Sequence, residues 1–437
     1  MRTNEHLLID HLQQHGASTS REIQAVLQSS QPTVSRLLAT LTDRVVTLGK
    51  GRASRYAIAQ PIGIMASQQP LWRMDESGQL QRVGLLSFLA NAQIHLAADG
   101  VDLLFKPGHK EELPWFMSPL RAQGFLGRLN AAKLAGLGIT TELERWDTHA
   151  ILLAALHLHD VPGALLLGDA VLPNTPGTPV IPLHDRAAIL DAVSADIART
   201  LPAGSSAGGE QPKFLAATDA GDHVLVKFSP PLGTPYGNRW RDLLLAEALS
   251  ASVLQRHGQA AASCEVVTTD SRTYLLSQRF DRIGPAGRKH VVALGAVHAA
   301  FVPGPYVNWA STGEALARQG RLTDDDARAA DFMLQFGRLI GNTDMHSGNA
   351  SLMVEGVSLA EMTRGKFSLA PAYDMLPMRF KPNPLVDLPD YAAFPMEHSF
   401  ASAQVKLAAA DYWDSLARQE SVSPAFRALA ARMASSS

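Results

Sequence analysis

An aspartate followed five residues later by an asparagine, at the end of a capped helix, constrains this chain more than any other feature. The stretch is Gly341-Asn342-Thr343-Asp344-Met345-His346-Ser347-Gly348-Asn349, and a second aspartate follows in Ala372-Tyr373-Asp374-Met375. The spacing suits phosphoryl transfer. Asp344 can orient and deprotonate an attacking hydroxyl, while the Asn349 amide oxygen and the Asp374 carboxylate hold Mg²⁺ against nucleotide phosphates. Magnesium prefers oxygen and takes few ligands from protein, so one Asn and one Asp suffice. Read alone, the stretch is equally a turn, because Asn, Asp, Ser and Gly favour turns through local hydrogen bonds. The rest of the chain decides between these readings.

The totals narrow the field. A length of 437 residues allows about two to four domains. A hydrophobic fraction of 46% with 18% charged residues is that of a globular protein. The net charge of −2 gives no global attraction to nucleic acid, so any such site must be local. A single cysteine, Cys264, excludes an internal disulfide and a cysteine-based zinc cluster. The N-terminus lacks a signal-peptide profile and no apolar run reaches the ~20 residues that span a bilayer. The expectation is a soluble cytoplasmic protein with no membrane contact.

Residues 1–60 form one unit. Leu7, Leu8, Ile9 and Leu12 mark a first helical face, and Thr19-Ser20-Arg21-Glu22 fits a capping box that opens a second helix. A third helix carries Val34, Leu37, Leu38 and Leu41 on one side and Gln31, Thr33, Ser35 and Arg36 on the other. Two alternating stretches, Val45 to Leu48 and Tyr56 to Ile58, flank a loop with Lys50, Arg52 and Arg55. Three short helices and a basic hairpin describe a winged helix-turn-helix. Its recognition helix would enter the major groove and its wing would reach phosphate or minor groove. The unit holds seven basic residues (Arg2, Arg21, Arg36, Arg44, Lys50, Arg52, Arg55) against four acids (Glu5, Asp10, Glu22, Asp43), which favours DNA over a purely protein-binding role. Such domains often pair on two-fold sites, so a homodimer is expected.

Between 61 and 200 the chain reads as mixed. Gln60-Pro61-Ile62-Gly63 looks like a linker; strands follow at Leu80 to Leu86, Ile94 to Ala97 and Val101 to Phe105, and an amphipathic helix at Asp185 to Thr200. His157-Leu158-His159-Asp160 could hold a metal, but without matching ligands a structural role is favoured.

Residues 201–285 read as a nucleotide-binding lobe. Leu201 to Phe214 is a Gly/Ser-rich loop, including Ser205, Ser206, Gly208 and Gly209, whose backbone N–H groups could cradle phosphate; it could also be a connector. His223 to Phe228 is an apolar strand with Lys227 in it, and a buried lysine needs an anionic partner. The helix Arg239 to His257 contains Glu247, whose pairing with Lys227 is left open. A β-hairpin around Asp270-Ser271-Arg272 leads into Gln278-Arg279-Phe280-Asp281-Arg282, where a link between lobes belongs. From 286 to 437 the chain is mostly helical. Thr323 before Asp324, Asp325 and Asp326 starts the helix that delivers the catalytic loop. Leu352 to Val354 and Phe367 to Ala370 form a short apolar pair leading to Asp374.

Loop, lysine, Asp-x-x-x-x-Asn and later Asp follow in kinase order across about 170 residues. From about residue 60 onward the chain resembles the HipA family of serine/threonine kinase toxins of bacterial toxin–antitoxin modules. The resemblance rests on Ser206 to Lys213, Lys227, Gln278 to Arg282, Asn342 to Asn349 and Ala370 to Asp374, with Pro114-Trp115-Phe116 to Phe125 in addition. It implies an ATP- and Mg²⁺-dependent enzyme of α+β class: a winged helix-turn-helix, then a bilobal kinase with a mixed N-lobe and an all-α C-lobe. It makes Asp344 catalytic and Asn349 and Asp374 the metal ligands. Ser206, Gly208, Gly209, Lys213, Lys227, Gln278, Phe280 and His346 become nucleotide-binding positions, with Gln278 and Phe280 at the adenine hinge. Ser206, or its neighbour Ser205, takes the place of the regulatory autophosphorylated serine.

The chain departs from the family in two ways. A DNA-reading domain is fused at the N-terminus, so a separate antitoxin is dispensable, and Glu210 sits in the phosphate loop. The protein substrate does not carry over. Two other readings stay open: a transcription regulator that senses nucleotide without transfer, and a small-molecule phosphotransferase.

Overall fold

A computed structural model describes residues 3–49, 51, 54–109, 112–169, 179–182, 184–200, 211–383, 390–396, 399 and 401–435. The N-terminal unit has helices Asn4–His15, Ser20–Leu27 and Gln31–Ala39 and strands Ser18–Thr19, Val45–Leu48 and Arg55–Ile58. The capping box forms as read: Thr19 Oγ1 accepts from the Glu22 N–H, and Glu22 Oε2 accepts from the Thr19 N–H. Val45 pairs with Ile58 and Leu48 with Arg55; Ser18–Thr19 adds a third antiparallel strand that the sequence did not announce. Leu8, Leu12, Ile23 and Val34 are fully buried between the helices.

This unit is docked, not tethered. Ile62 of the expected linker is fully buried, and the Gln60 N–H donates to Phe88 O at 2.9 Å. Ala90 of the next unit joins the N-terminal core. Gln93 Oε1 accepts from the Ala17 N–H at 3.0 Å, and Asn91 Nδ2 donates to Gln14 O at 3.1 Å. Asn91 and Ala92 both take left-handed φ, 59° and 56°, to make this contact. For Ala92 that backbone costs about 1–2 kcal/mol, which the docking must offset.

The middle unit is a five-stranded antiparallel sheet in the order Val101–Phe105, Ile94–Ala98, Leu80–Phe88, Gln68–Met74, Leu165–Leu167. Pro70 disguises Gln68–Met74 in the sequence. A proline is tolerated there because the Leu165–Leu167 strand pairs only with residues 71–73. Helices Gly124–Lys133 and Thr148–Ala155 complete the unit; the latter is mostly buried. No helix among the described residues is long and apolar enough to cross a membrane.

A second five-stranded sheet follows, ordered Cys264–Thr268, Thr273–Gln278, His223–Phe228, Lys213–Thr218, Val180–Ile181, antiparallel except for the last pair. Helix Arg186–Thr200 packs on it through Leu190, against Ile181, Phe214 and Val226. Helix Pro235–Arg256, inserted between strands His223–Phe228 and Cys264–Thr268, packs on this sheet and on Ala403–Arg418 of the last lobe, in which helices Leu294–Phe301, Trp309–Arg318, Asp324–Ile340, Ala403–Arg418 and Pro424–Ala434 dominate.

The expectation of an all-α C-lobe is corrected. Ser351–Val354 pairs with Phe367–Leu369 and with Val291–Ala293 in a three-stranded antiparallel sheet. Its apolar residues, including Val292, Leu352 and Phe367, are buried, so the strands bury surface that a loop would have exposed. This sheet carries the chain from the Asp344 loop to Asp374. His290, just before it, is buried and pushed down to about 4 by burial, so it is neutral. It bonds Phe116 O at 2.8 Å and the Ala164 N–H at 3.2 Å, fixing this lobe to the middle unit.

Candidate active site

The site forms where the second sheet faces the helical lobe. Lys227 projects from its strand and is 3% exposed. Its Nζ bonds Glu247 Oε1 at 2.5 Å and also bonds Asp374 Oδ1. Burial alone would push the lysine down, but the Asp374 and Glu247 carboxylates outweigh it and hold the ammonium above its ordinary range. Burial pushes Glu247 up against the pull of Lys227. For Asp374 burial is outweighed by Lys227, then Lys213, and the carboxyl is held below its usual range. Asp374 is therefore the better anion of the two. Lys213 stands opposite Lys227 in the strand ladder.

Sequence reasoning left Glu247 undecided, yet a signal was present. Leu243, Glu247, Ser250 and Leu254 fall on one buried helical face, where an acid is out of place unless paired.

The Asp344 loop is built by local bonds. Thr323 caps helix Asp324–Ile340, and Gly341 ends it at φ 78°. Asn342, 4% exposed, is the keystone that the sequence reading quoted without assigning a role. Its Oδ1 accepts from the Asp344 N–H at 3.0 Å, and its Nδ2 donates to Asp374 O at 3.3 Å. One side chain thus joins both aspartate segments. Asp374 itself has φ 53°, a left-handed conformation uncommon for a non-glycine residue and typical of strained functional positions. Asn349 Nδ2 donates to Asp344 O at 2.8 Å, which leaves its amide oxygen as the open acceptor. Trp309 Nε1 donates to His346 O at 3.0 Å.

The Asp344 and His346 side chains are about half exposed, with His346 Nε2 3.9 Å from Asp344 Oδ1. An amide oxygen and a carboxylate are the hard donors that Mg²⁺ takes, so Asn349 and Asp374 fit such an ion.

A cavity of about 950 Å³ adjoins this cluster. Lys227, Gln278, Phe280 and Asp374 line it, together with Ser347 and Gly348 of the Asp344 loop; Asp344, His346 and Asn349 do not. The Phe280 ring lies 5.6 Å from that of Tyr373, whose hydroxyl donates to Gly348 O at 2.9 Å. Gln278 ends its strand exposed, and its N–H donates to Ser263 O at 2.8 Å. Ser205, Ser206, Gly208 and Gly209 lie outside the described residues, as do Lys50, Arg52 and the loop residues 170–178. In the His157–Asp160 cluster, Asp160 pairs with Arg279 and Arg282.

Residues 205–436 match the HipA-like C-terminal domain, and residues 65–175 match the middle domain of the YjjJ-like toxins. Toxin YjjJ of Escherichia coli (strain K12) is 35% identical over 436 residues, covering 96% of this chain and 94% of that protein. The HipA of a Shewanella oneidensis MR-1 toxin–antitoxin system, solved with HipB and operator DNA, superposes with a TM-score of 0.51 at 15% identity. That likeness, over 83% of this chain and 95% of the other, concerns the fold. The chain belongs to the HipA-like toxins, in the branch that carries the YjjJ-like middle domain.

Proposed function

We propose that the protein is an ATP- and Mg²⁺-dependent serine/threonine kinase that phosphorylates a cellular protein and itself, with growth arrest as the consequence. One observation carries this: buried Lys227 spans Glu247 and Asp374 beside a cleft lined by Ser347 and Gly348, which belong to the loop that also carries Asp344 and Asn349. Bound Mg²⁺ would neutralise phosphate charge. Asn349 and Asp374 would hold it, and Lys227 and Lys213 would face the phosphates. Asp344 takes the proton from the acceptor hydroxyl, whose oxygen bonds the γ-phosphorus as the bond to ADP breaks. Asp344 is suited to this because its exposed carboxylate is reachable by a protein-borne hydroxyl. Gln278 and Phe280 would flank the adenine.

Purified protein incubated with Mg²⁺ and γ-labelled ATP is expected to label itself on Ser206 or Ser205, mapped by mass spectrometry, and EDTA should abolish the label. ATP bound without any transfer, in protein shown to be unphosphorylated at the start, would reject the kinase reading in favour of nucleotide sensing.

The N-terminal unit is proposed to be a winged helix-turn-helix that binds DNA. Its third helix exposes Gln31, Thr33, Ser35 and Arg36, and Arg55 is exposed at the start of strand Arg55–Ile58. The HipA neighbour was solved with HipB and operator DNA; here the DNA reader is part of the chain, so a separate antitoxin is not required for operator binding. Arg36→Ala is expected to weaken binding to a selected duplex by about 1–3 kcal/mol, and Arg55→Ala to weaken all sequences alike and flatten the salt dependence. Unchanged binding in both would reject this interface.

A further inference from the structure

The segment that joins the two lobes is held by a loop of the middle unit, 118 residues earlier in the chain at its nearest bond. Arg279 Nη1 and Arg282 Nη2 both reach Asp160 Oδ1, at 2.6 and 2.7 Å. Asp281 Oδ2 accepts from Arg279 Nη2 at 3.0 Å, from Arg282 Nη1 at 2.7 Å and from the Gly163 N–H at 2.8 Å. Two backbone oxygens of the same loop add bonds: Val161 O accepts from Arg282 Nη2 at 2.7 Å, and His159 O from Arg288 Nη2 at 2.9 Å. Arg279 and Arg282 are 9% and 3% exposed.

Two guanidiniums buried side by side repel, and Asp281 alone leaves one charge uncompensated. The carboxylate that balances them comes from Asp160. The conformation of the interlobe segment therefore depends on the middle unit being in place. The same loop brings His157, Leu158 and Pro162 into the wall of the large cavity, which Gln278 and Phe280 also line. Lys227 and Asp374, where phosphate charge belongs, line the same cavity.

We propose that the loop from His157 to Pro162 is a wall of the nucleotide site at its nucleoside end, with Asp160 the positioning residue that sets the interlobe segment against it. The inference rests on reading this cleft as a nucleotide site and goes beyond it. The ligand class is the nucleoside part of a nucleoside triphosphate, and the site becomes a three-body pocket, not one between two lobes alone. A planar base is read only by groups fixed to within about 0.5 Å, and the buried pairs supply that rigidity.

Calorimetric titration of ATP, adenosine and inorganic triphosphate into the full chain tests this. His157→Ala and Asp160→Asn are each expected to weaken ATP and adenosine by the same factor, about tenfold, with inorganic triphosphate unchanged. Unchanged adenosine affinity in His157→Ala, or an equal loss for triphosphate, would overturn the proposal. Should Asp160→Asn fail to fold, His157→Ala decides, since it leaves the ion pairs intact. Failure of the wild type to bind either ATP or adenosine would instead overturn the nucleotide reading, and the wall with it.

Discussion

Asp344→Asn is expected to lower phosphate transfer by about 10²- to 10⁴-fold, the usual worth of a positioned general base, while nucleotide affinity stays close to that of the wild type. The structure separates the two effects. The bonds by which Asp344 supports the loop are main-chain: its N–H donates to Asn342 Oδ1 and its carbonyl accepts from Asn349 Nδ2. Both survive the substitution. Its side chain is about half exposed, and its only ion pair among the described residues is the 3.9 Å approach of His346. It does not line the cavity that holds Lys227 and Asp374. Removing the carboxylate should therefore leave the nucleotide site intact and act on kcat, not on binding. Rapid-quench measurement of transfer beside equilibrium titration of ATP checks both halves. Retained transfer would move the base elsewhere. A large loss of ATP affinity would make Asp344 part of the nucleotide site.

What the sequence disclosed, it disclosed locally. Thr19 and Glu22 lie three residues apart, and their capping box could be read from spacing because both bonds close within one helical turn. The Asp344–Asn349 interval was legible for the same reason: the Asn349 amide bonds Asp344 O inside one loop. The partners of these groups were less legible, because they are set by packing. Glu247 could be suspected from its apolar stripe, but only the folded lobe brings it to Lys227, 20 residues away. Asn342 joins Asp374 across 32 residues, and nothing in its neighbours announces that bond. Asp160 stood in a cluster that was weighed only as a metal site or a structural one, because its partners Arg279 and Arg282 lie more than 100 residues on. The linker misread at Gln60 to Gly63 has the same cause. Its polar and glycine content fits a connector, whereas the burial of Ile62 depends on a neighbouring unit. The strand through Pro70 was hidden because a proline argues against a central strand unless the pairing around it is known.

Lys227→Met is the second large effect, and it should appear in stability as well as in chemistry. The substitution keeps the volume of the stem and removes a cation bonded to both Glu247 and Asp374. Glu247 is 4% exposed and its Oε2 already lacks a partner, so it cannot turn to water. Breaking a buried pair by deleting one member costs about 3–5 kcal/mol, mostly from the charge left behind. Asp374 is a quarter exposed in its side chain and contributes less to that cost. The double variant Lys227→Met/Glu247→Gln removes the stranded charge together with its partner. It is expected to recover most of the lost stability, because a neutral pair of similar shape avoids the desolvation penalty. Phosphate transfer should remain lost in both, since no cation then faces the phosphates from this strand. Denaturant midpoints and transfer rates, measured side by side, separate the structural share of Lys227 from its chemical share. If the single variant were as stable as the wild type, the buried pair would not be holding Glu247. If the double variant regained transfer along with stability, Lys227 would be a structural residue and the phosphate-binding cation would have to be sought at Lys213.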